Sequence, residues 1–154
     1  VEFFHSPGHT IDSSSCYDYR ERILFVGDNI ESNAPYVNSL DFDTYISTLE
    51  GYLDRDWTHV VPGHDPVQTD DTLIRSNIGY LKLLKEWKVD LSNLTQGALD
   101  VHLYTLSKLV EKVIAAGIQK KTEAHYLEAI SVLEDMEPTE KVTEYISKFR
   151  KVTE

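Results

Sequence analysis

Cysteine and methionine are scarce in this chain, since each occurs only once among the 154 residues. The single cysteine, Cys16, excludes an internal disulfide and favours a reducing compartment, so we expect a cytoplasmic protein. Long apolar runs are also missing, because none approaches the roughly 18 to 20 residues that would span a bilayer. Glu2 and His5 interrupt the apolar stretch at the start, which therefore does not resemble a signal peptide. These absences predict no membrane partner.

Positive charge is in short supply as well. Lysine and arginine total 15 against 26 acidic residues, which gives a formal net charge of −11. A surface of this sign repels phosphate backbones, so nucleic acid is not expected as a partner. Hydrophobic residues make up 41% and charged residues 27%, as in ordinary globular proteins. The length fits one domain, or a small α/β unit with a helical appendage.

The first part of the chain, 1–69, mixes two kinds of periodicity. Alternating or short apolar runs predict strands at 1–5, 14–19, 23–26 and 59–61, with a hairpin turn at 20–22. Between the last two strands, Asp41 is placed to cap a helix whose apolar face begins at Phe42. The order strand, strand, strand, helix, strand favours an α/β layered domain.

The second part, 70–154, shows helical periodicity alone. Apolar residues recur at steps of three and four from Ile74 to Trp87 and from Leu99 to Val113, with Gly117 as a helix cap. A third apolar stripe contains Tyr126, Leu127, Ile130 and Leu133, and a fourth follows Pro138 with Val142, Ile146 and Phe149. No motif of this region indicates a chemistry.

Three turns in the first part carry the residues of chemical interest. Pro7-Gly8-His9-Thr10, Gly27-Asp28 and Pro62-Gly63-His64 each follow an apolar strand and each present an imidazole or a carboxylate. The ends of neighbouring strands lie together at one edge of a sheet, so we expect His9, Asp28 and His64 to converge. Histidine and aspartate are common ligands of zinc and related divalent metals.

The order of these three turns resembles the carboxy-terminal portion of the metallo-β-lactamase superfamily, in particular its glyoxalase II-like members. The resemblance implies that His9 binds one metal, His64 binds a second and Asp28 bridges the two, which also gives Asp28 a catalytic role. Zinc is the metal most often used, and iron or manganese suits the same ligands. We expect the small polar groups of Thr10-Ile11-Asp12-Ser13, such as those of Thr10 and Ser13, to hydrogen-bond the ring of His9 and so fix its tautomer.

The other histidines are expected to be structural. The chain has six in all, and those outside the predicted site are His5, His59, His102 and His125. His5 is expected to hydrogen-bond beneath the site, and the remaining three have no paired ligand nearby. Asp65, next to His64, is a weak candidate for orienting that imidazole.

The resembled family also uses a His-x-His-x-Asp-His motif in its first half, and this chain contains no such sequence. We therefore expect residues 1–69 to form half of an αβ/βα sandwich, followed by a mostly helical region, 70–154. A chain that begins in a strand without an initiator methionine fits an excised fragment. The absent half would expose one sheet face, with Phe3, Tyr17, Leu24 and Val26 on it, and would favour a homodimer or association with the missing half.

The resemblance implies a metal-dependent hydrolase that uses activated water on a small ester, thioester or related substrate. Because each metal would keep only two of these ligands, the chain alone is expected to bind metal weakly and to be nearly inactive. Two alternatives stay open. The chain is then either an interaction or assembly module, or part of a di-iron redox protein of the same superfamily.

Overall fold

The computed structural model describes residues 1–154 as one four-stranded sheet and five α-helices. The strands are β1 (Glu2–His5), β2 (Ser14–Asp18), β3 (Ile23–Gly27) and β4 (His59–Pro62). The helices are α1 (Phe42–Leu53), α2 (Thr72–Lys85), α3 (Gln96–Ala115), α4 (Gln119–Glu134) and α5 (Glu140–Thr153), with a short 3₁₀ helix at Leu91–Asn93. The predicted α/β class and the predicted order of elements are confirmed.

The sheet has the strand order β1-β2-β3-β4 and is mixed. Two antiparallel pairs join β1 to β2 and β2 to β3, whereas β3 and β4 run parallel and are connected through α1. Since β1 is antiparallel to β2, and β2 to β3, the strands β1, β3 and β4 all point the same way. Their carboxyl ends therefore share one edge of the sheet, and each of the three motif turns leaves from that edge.

Only one face of the sheet is covered by helices. Tyr17, Leu24 and Val26 lie on the covered face and are buried, so the prediction that they would be exposed is wrong. The opposite face holds Phe3, which is 79% exposed as predicted, and Phe25, which is 42% exposed. Side chains alternate along a strand, so the residues that precede and follow an exposed one point into the core.

The open face carries a continuous apolar row. The register pairs Phe3 with Cys16, Cys16 with Phe25, and Phe25 with Val61, so these four residues cross all four strands. We refer to them as the outer row. The structure contains this one sheet with helices on one side, and the expectation that it is half of an αβ/βα sandwich stays a prediction.

Helix α1 begins as the sequence predicts. The side chain of Asp41 accepts a hydrogen bond from the backbone N–H of Thr44 at 3.2 Å, which satisfies one of the free donors at the helix start. Phe42, Tyr45 and Leu49 are buried on the face that packs into the core. The hydroxyl group of Tyr45, and residues that follow Tyr45 in this helix, lie next to the loops that carry the motif turns.

The helical region joins the sheet in one hydrophobic core, which runs from Tyr17 to Val152. Gly117 has φ of 68° just after α3, as expected of a helix cap, because this left-handed conformation favours glycine. Leu127 belongs to the predicted third stripe but is 50% exposed, because α4 turns the face of Tyr126, Ile130 and Leu133 inward. None of the helices combines the length and apolarity that crossing a bilayer would require.

Helix α5 also buries a slightly different face from the predicted one. Phe149 is fully buried as expected, but its buried companions are Tyr145 and Val152, while Val142 and Ile146 are only half-buried. The apolar stripe is thus rotated by one residue. The rings of Tyr145 and Phe149 are stacked on the buried face, with their centroids 5.8 Å apart.

Two histidines form a hydrogen-bonded pair inside the helical region. We refer to them as the buried histidine pair. His102 Nε2 on α3 lies 2.9 Å from His125 Nε2 on α4, and the Tyr80 hydroxyl lies 2.7 Å from His102 Nδ1. One proton fits between the two Nε2 atoms, so the two rings cannot both be protonated in this contact. Burial lowers the pKa of His102 to about 3, with the neighbouring His125 adding to this effect, and burial lowers the pKa of His125 to about 4. Both residues are structural, as expected.

Candidate metal centre

The three residues predicted from the motif turns converge at the carboxyl edge of the sheet. His64 Nε2 lies 3.2 Å from Asp28 Oδ1, and His9 Nε2 lies 3.9 Å from Asp28 Oδ2. The predicted convergence is therefore confirmed. Their role as metal ligands stays a prediction, since convergence alone does not identify a bound ion.

The carboxylate of Asp28 offers a separate oxygen to each imidazole. Zinc bonds of about 2.0–2.2 Å in tetrahedral geometry place two ligand atoms about 3.3 Å apart. The 3.2 Å separation between His64 and Asp28 is close to this value, and the 3.9 Å separation on the His9 side is somewhat longer. A carboxylate between two imidazoles, with one oxygen toward each, fits a bridging ligand of two cations.

Two glycines make this approach sterically feasible. Gly63 lies so close to Asp28 that a Cβ atom at position 63 would overlap the Oδ1 oxygen. Gly27, just before Asp28, has φ of 56°, a left-handed conformation that glycine adopts without strain. The glycines of the Gly27-Asp28 and Pro62-Gly63-His64 turns are thus required by the site itself.

The turn that carries His9 is held by Asn29, a residue that sequence reasoning missed. The buried Asn29 side chain accepts a hydrogen bond from the His9 backbone N–H at 2.9 Å. Its amide group donates to the Ser6 carbonyl oxygen and to the Tyr52 hydroxyl, each at 2.8 Å. Asn29 therefore ties the turn after β1 to the turn after β3. Its position directly after Asp28 was the available signal.

The expected support for the His9 ring is not observed. Thr10 and Ser13 bond each other through their hydroxyl groups at 2.8 Å, and they do not contact the imidazole. The Nδ1 atom of His9 is buried and has no hydrogen-bond partner. The prediction that Thr10 and Ser13 fix the tautomer of His9 is wrong, because their short side chains satisfy the local turn first.

Two other expectations concern residues beside the site. His5 Nε2 donates a hydrogen bond to the Ile11 carbonyl oxygen at 2.7 Å, which agrees with a structural role. Asp65 does not orient His64, because its Oδ2 oxygen accepts from the backbone N–H of Ser32 at 2.9 Å. Asp65 therefore links the turn after β4 to the loop that follows Asp28.

Glu31 is a second residue that the motifs did not predict. One oxygen of Glu31, one of Asp28 and one ring nitrogen of His64 all lie within 4.8 Å of one another. Burial raises the pKa of Glu31, and the nearby carboxylates of Asp65 and Asp28 raise it further, whereas His64 lowers it. A cation would relieve this crowding of negative charge, and the three side chains have the donor atoms to hold one on the His64 side.

The helical region holds the loop that carries Glu31. Asn77, buried on α2, accepts from the Glu31 backbone N–H and donates to the Glu31 carbonyl oxygen, each at 2.9 Å. Gly97 at the start of α3 lies against Asn33, where a Cβ atom would overlap the amide group. The region 70–154 thus fixes the loop of the candidate site, which is a role that the sequence did not reveal.

A cavity of about 660 Å³ opens beside His9. One wall is aromatic: the rings of His9 and Tyr36 lie edge to face at 6.0 Å, and those of Tyr36 and Tyr104 at 5.6 Å. Lys108 of α3 and Lys141 of α5 also line the cavity. We refer to this cavity as the His9 pocket.

Comparison with known proteins gives one partial likeness. No family model matches the chain. A beta-lactamase-like protein 2 homolog from Caenorhabditis elegans is 39% identical over 67 residues, which are 44% of this chain and 22% of that protein. The chain therefore spans about a fifth of the length of the relative it matches. This likeness suggests the metallo-β-lactamase superfamily and gives neither substrate nor metal.

Proposed function

We propose that this chain supplies one side of the metal centre of a metallo-β-lactamase-type hydrolase. The observation that carries the proposal is the position of Asp28, whose two oxygens face His64 and His9 separately. His9 and Asp28 would hold one divalent ion, and Asp28, Glu31 and His64 the other. Zinc is the preferred choice, and iron or manganese suits the same donors.

Divalent ions at such a site supply Lewis acidity and lower the pKa of coordinated water, which suits hydrolysis of a small ester, thioester or related substrate near neutral pH. The chain's own residues position the ligands. Asn29 holds the His9 turn, Gly63 lets His64 approach Asp28, and Asn77 holds Glu31. On the His9 side only two protein ligands are present, so we expect the chain alone to be nearly inactive.

Zinc titration of the 154-residue chain tests the proposal without a substrate. We expect one ion to bind more tightly than a second, because Asp28, Glu31 and His64 give three ligands on one side and the other side has two. Replacing Asp28 with Asn should weaken the tighter binding by about tenfold or more, since the affinity depends on each deprotonated ligand. His59, exposed and bonded only to Thr58, provides the matched control as His59→Gln. Equal zinc affinity of the two variants would contradict the proposal.

A second function, assembly, is favoured by the outer row. Phe3 on β1 and Phe25 on β3 are exposed on either side of Cys16 on β2, and an open apolar sheet face promotes association. We propose that the isolated chain forms a homodimer through this face, and that in a longer protein a second sheet covers it. Sedimentation at micromolar concentration should show a dimer that Phe3→Ser with Phe25→Ser converts to a monomer.

The control for that experiment is Leu127→Ser, because Leu127 is 50% exposed on α4, away from the sheet. It should leave the dimer intact. A monomeric wild-type chain, or equal weakening by the Leu127 variant, would show that the outer row does not drive association.

A further inference from the structure

The His9 pocket is lined by one candidate metal ligand, His9, and by two lysines on separate helices, Lys108 and Lys141. We propose that it binds the non-reacting part of the substrate, and that this part is a flat group ending in a single carboxylate or phosphate. Because it names the substrate class of the centre at His9, this inference depends on the proposed function.

The wall of the pocket supplies the first argument. The rings of Tyr36 and Tyr104 follow that of His9 in two successive edge-to-face contacts, so a continuous aromatic surface extends away from the site. Tyr36 is 37% and Tyr104 is 38% exposed, which leaves part of each ring open to the cavity. Flat groups gain most from contact with such rings, through burial of apolar area and ring stacking.

The positive charge of the two lysines that line the pocket supplies the second argument. The Nζ atom of Lys108 lies 5.0 Å from the centre of the Tyr104 ring, so the aromatic wall ends at a cation. Lys141 of α5 lines the same pocket, with its Nζ atom 5.7 Å from the ring centre of Tyr145. Six of the ten lysines form no ion pair with an acid, and Lys108 and Lys141 are the two of these that line the pocket. In a protein of net charge −11, two unpaired cations on one cavity favour an anionic ligand.

A third observation limits the ligand to one anionic group. Asp100 also lines the pocket, and its carboxylate accepts from Gln96 Nε2 at 2.9 Å. Its negative charge opposes a second anionic group near the rim. A long polyanion is disfavoured for the same reason, and also by the net charge of the chain.

Binding to the metal-free chain tests this inference separately from hydrolysis. The probes are 1-naphthylacetate and its uncharged analogue 1-naphthylacetamide, titrated in the presence of a chelator and followed by calorimetry and two-dimensional NMR. We expect the anion to bind about tenfold more tightly than the amide, with shifts at Tyr36 and Tyr104 for both probes. High salt should reduce this difference, because exposed charges are screened.

The variants assign the charge effect to the two lysines. Lys108→Gln and Lys141→Gln should each weaken binding of the anion about 3- to 10-fold and leave the amide unchanged. Tyr104→Ala should weaken both probes. Lys120→Gln is the matched control, because Lys120 is exposed, forms no ion pair and lies outside the pocket, and it should change neither.

Equal affinity of the two probes, or equal effects of the Lys108 and Lys120 variants, would overturn the inference. Tighter binding of a thymidine pentanucleotide through the same lysines would also overturn it, in favour of a nucleic-acid groove. If zinc fails to bind but the naphthyl probes behave as expected, the proposed function fails and the pocket remains an anion site. If zinc binds and the probes do not discriminate, the hydrolase stands with a different substrate class.

Discussion

Acid should destabilise this protein more steeply than its exposed groups would suggest, because of the buried histidine pair. His102 is fully buried and His125 is 3% exposed, and burial lowers the pKa of both from 6.5, to about 3 and about 4. Above pH 6.5 both rings are neutral in the folded and the unfolded chain, so their contribution to stability is fully present. As the pH falls below 6.5, the unfolded chain takes up protons that the folded chain does not, and stability is lost until the folded pKa values are reached.

The size of this loss follows from the two shifts. One pH unit corresponds to about 1.4 kcal/mol for each histidine, so at pH 5 each costs about 2 kcal/mol and the pair about 4 kcal/mol. A domain of this size is stable by only about 5–15 kcal/mol. The pair alone should therefore remove a large part of the free energy of unfolding between pH 7 and pH 5, which is a range above the usual pKa of carboxylates.

Urea denaturation followed by circular dichroism at pH 7, 6 and 5 measures this loss directly. The double variant His102→Gln/His125→Gln keeps hydrogen-bonding groups at both positions but cannot titrate, so its stability should fall much less with pH. The wild type and the double variant should differ most in the slope of the free energy against pH. Identical slopes would refute the reasoning, because they would show that protonation of this pair does not favour the unfolded chain.

Three further predictions concern the candidate site and its supports. Gly8→Ala should lower the free energy of unfolding by about 1–3 kcal/mol in the same urea assay, because its Cβ would overlap an aromatic ring of α1. Gly51→Ala is the control and should not destabilise, because a Cβ atom there meets nothing within 4 Å. Asn29→Ala should cost about 3 kcal/mol in thermal or urea unfolding, since it leaves several buried polar groups without partners. In a longer protein that carries both halves of the site, Asp28→Ala should reduce the hydrolysis rate more than about 100-fold and His5→Ala only slightly, and similar losses would contradict the assignment.

Most of the fold could be predicted from the sequence because its signals are local. Alternation indicated the strands, Asp41 marked the start of α1, and Gly117 marked the end of α3. Which side of a strand or helix is buried depends on what packs against it. Alternation alone therefore could not show that Tyr17 faces the helices, and helical spacing alone did not exclude Leu127 from the core.

The site could be predicted only in part, for a similar reason. His9, Asp28 and His64 were found because each lies in a recognisable turn after a strand. Glu31 and Asn29 lie in a loop without such a pattern, and their roles depend on contacts with residues far along the chain. Thr10 bonds Ser13 and not the expected ring of His9, since both partners are near in sequence and proximity does not decide between them.

The anchoring of the ligand loop by α2 and α3 affects when the centre forms during synthesis on the ribosome. His9, Asp28 and His64 are all translated before Asn77 and Gly97, which fix the loop between β3 and α1. Domains form as units while the chain emerges, so these three side chains leave the ribosome before their geometry is fixed. The helical region therefore determines the moment at which the three side chains can reach their folded arrangement.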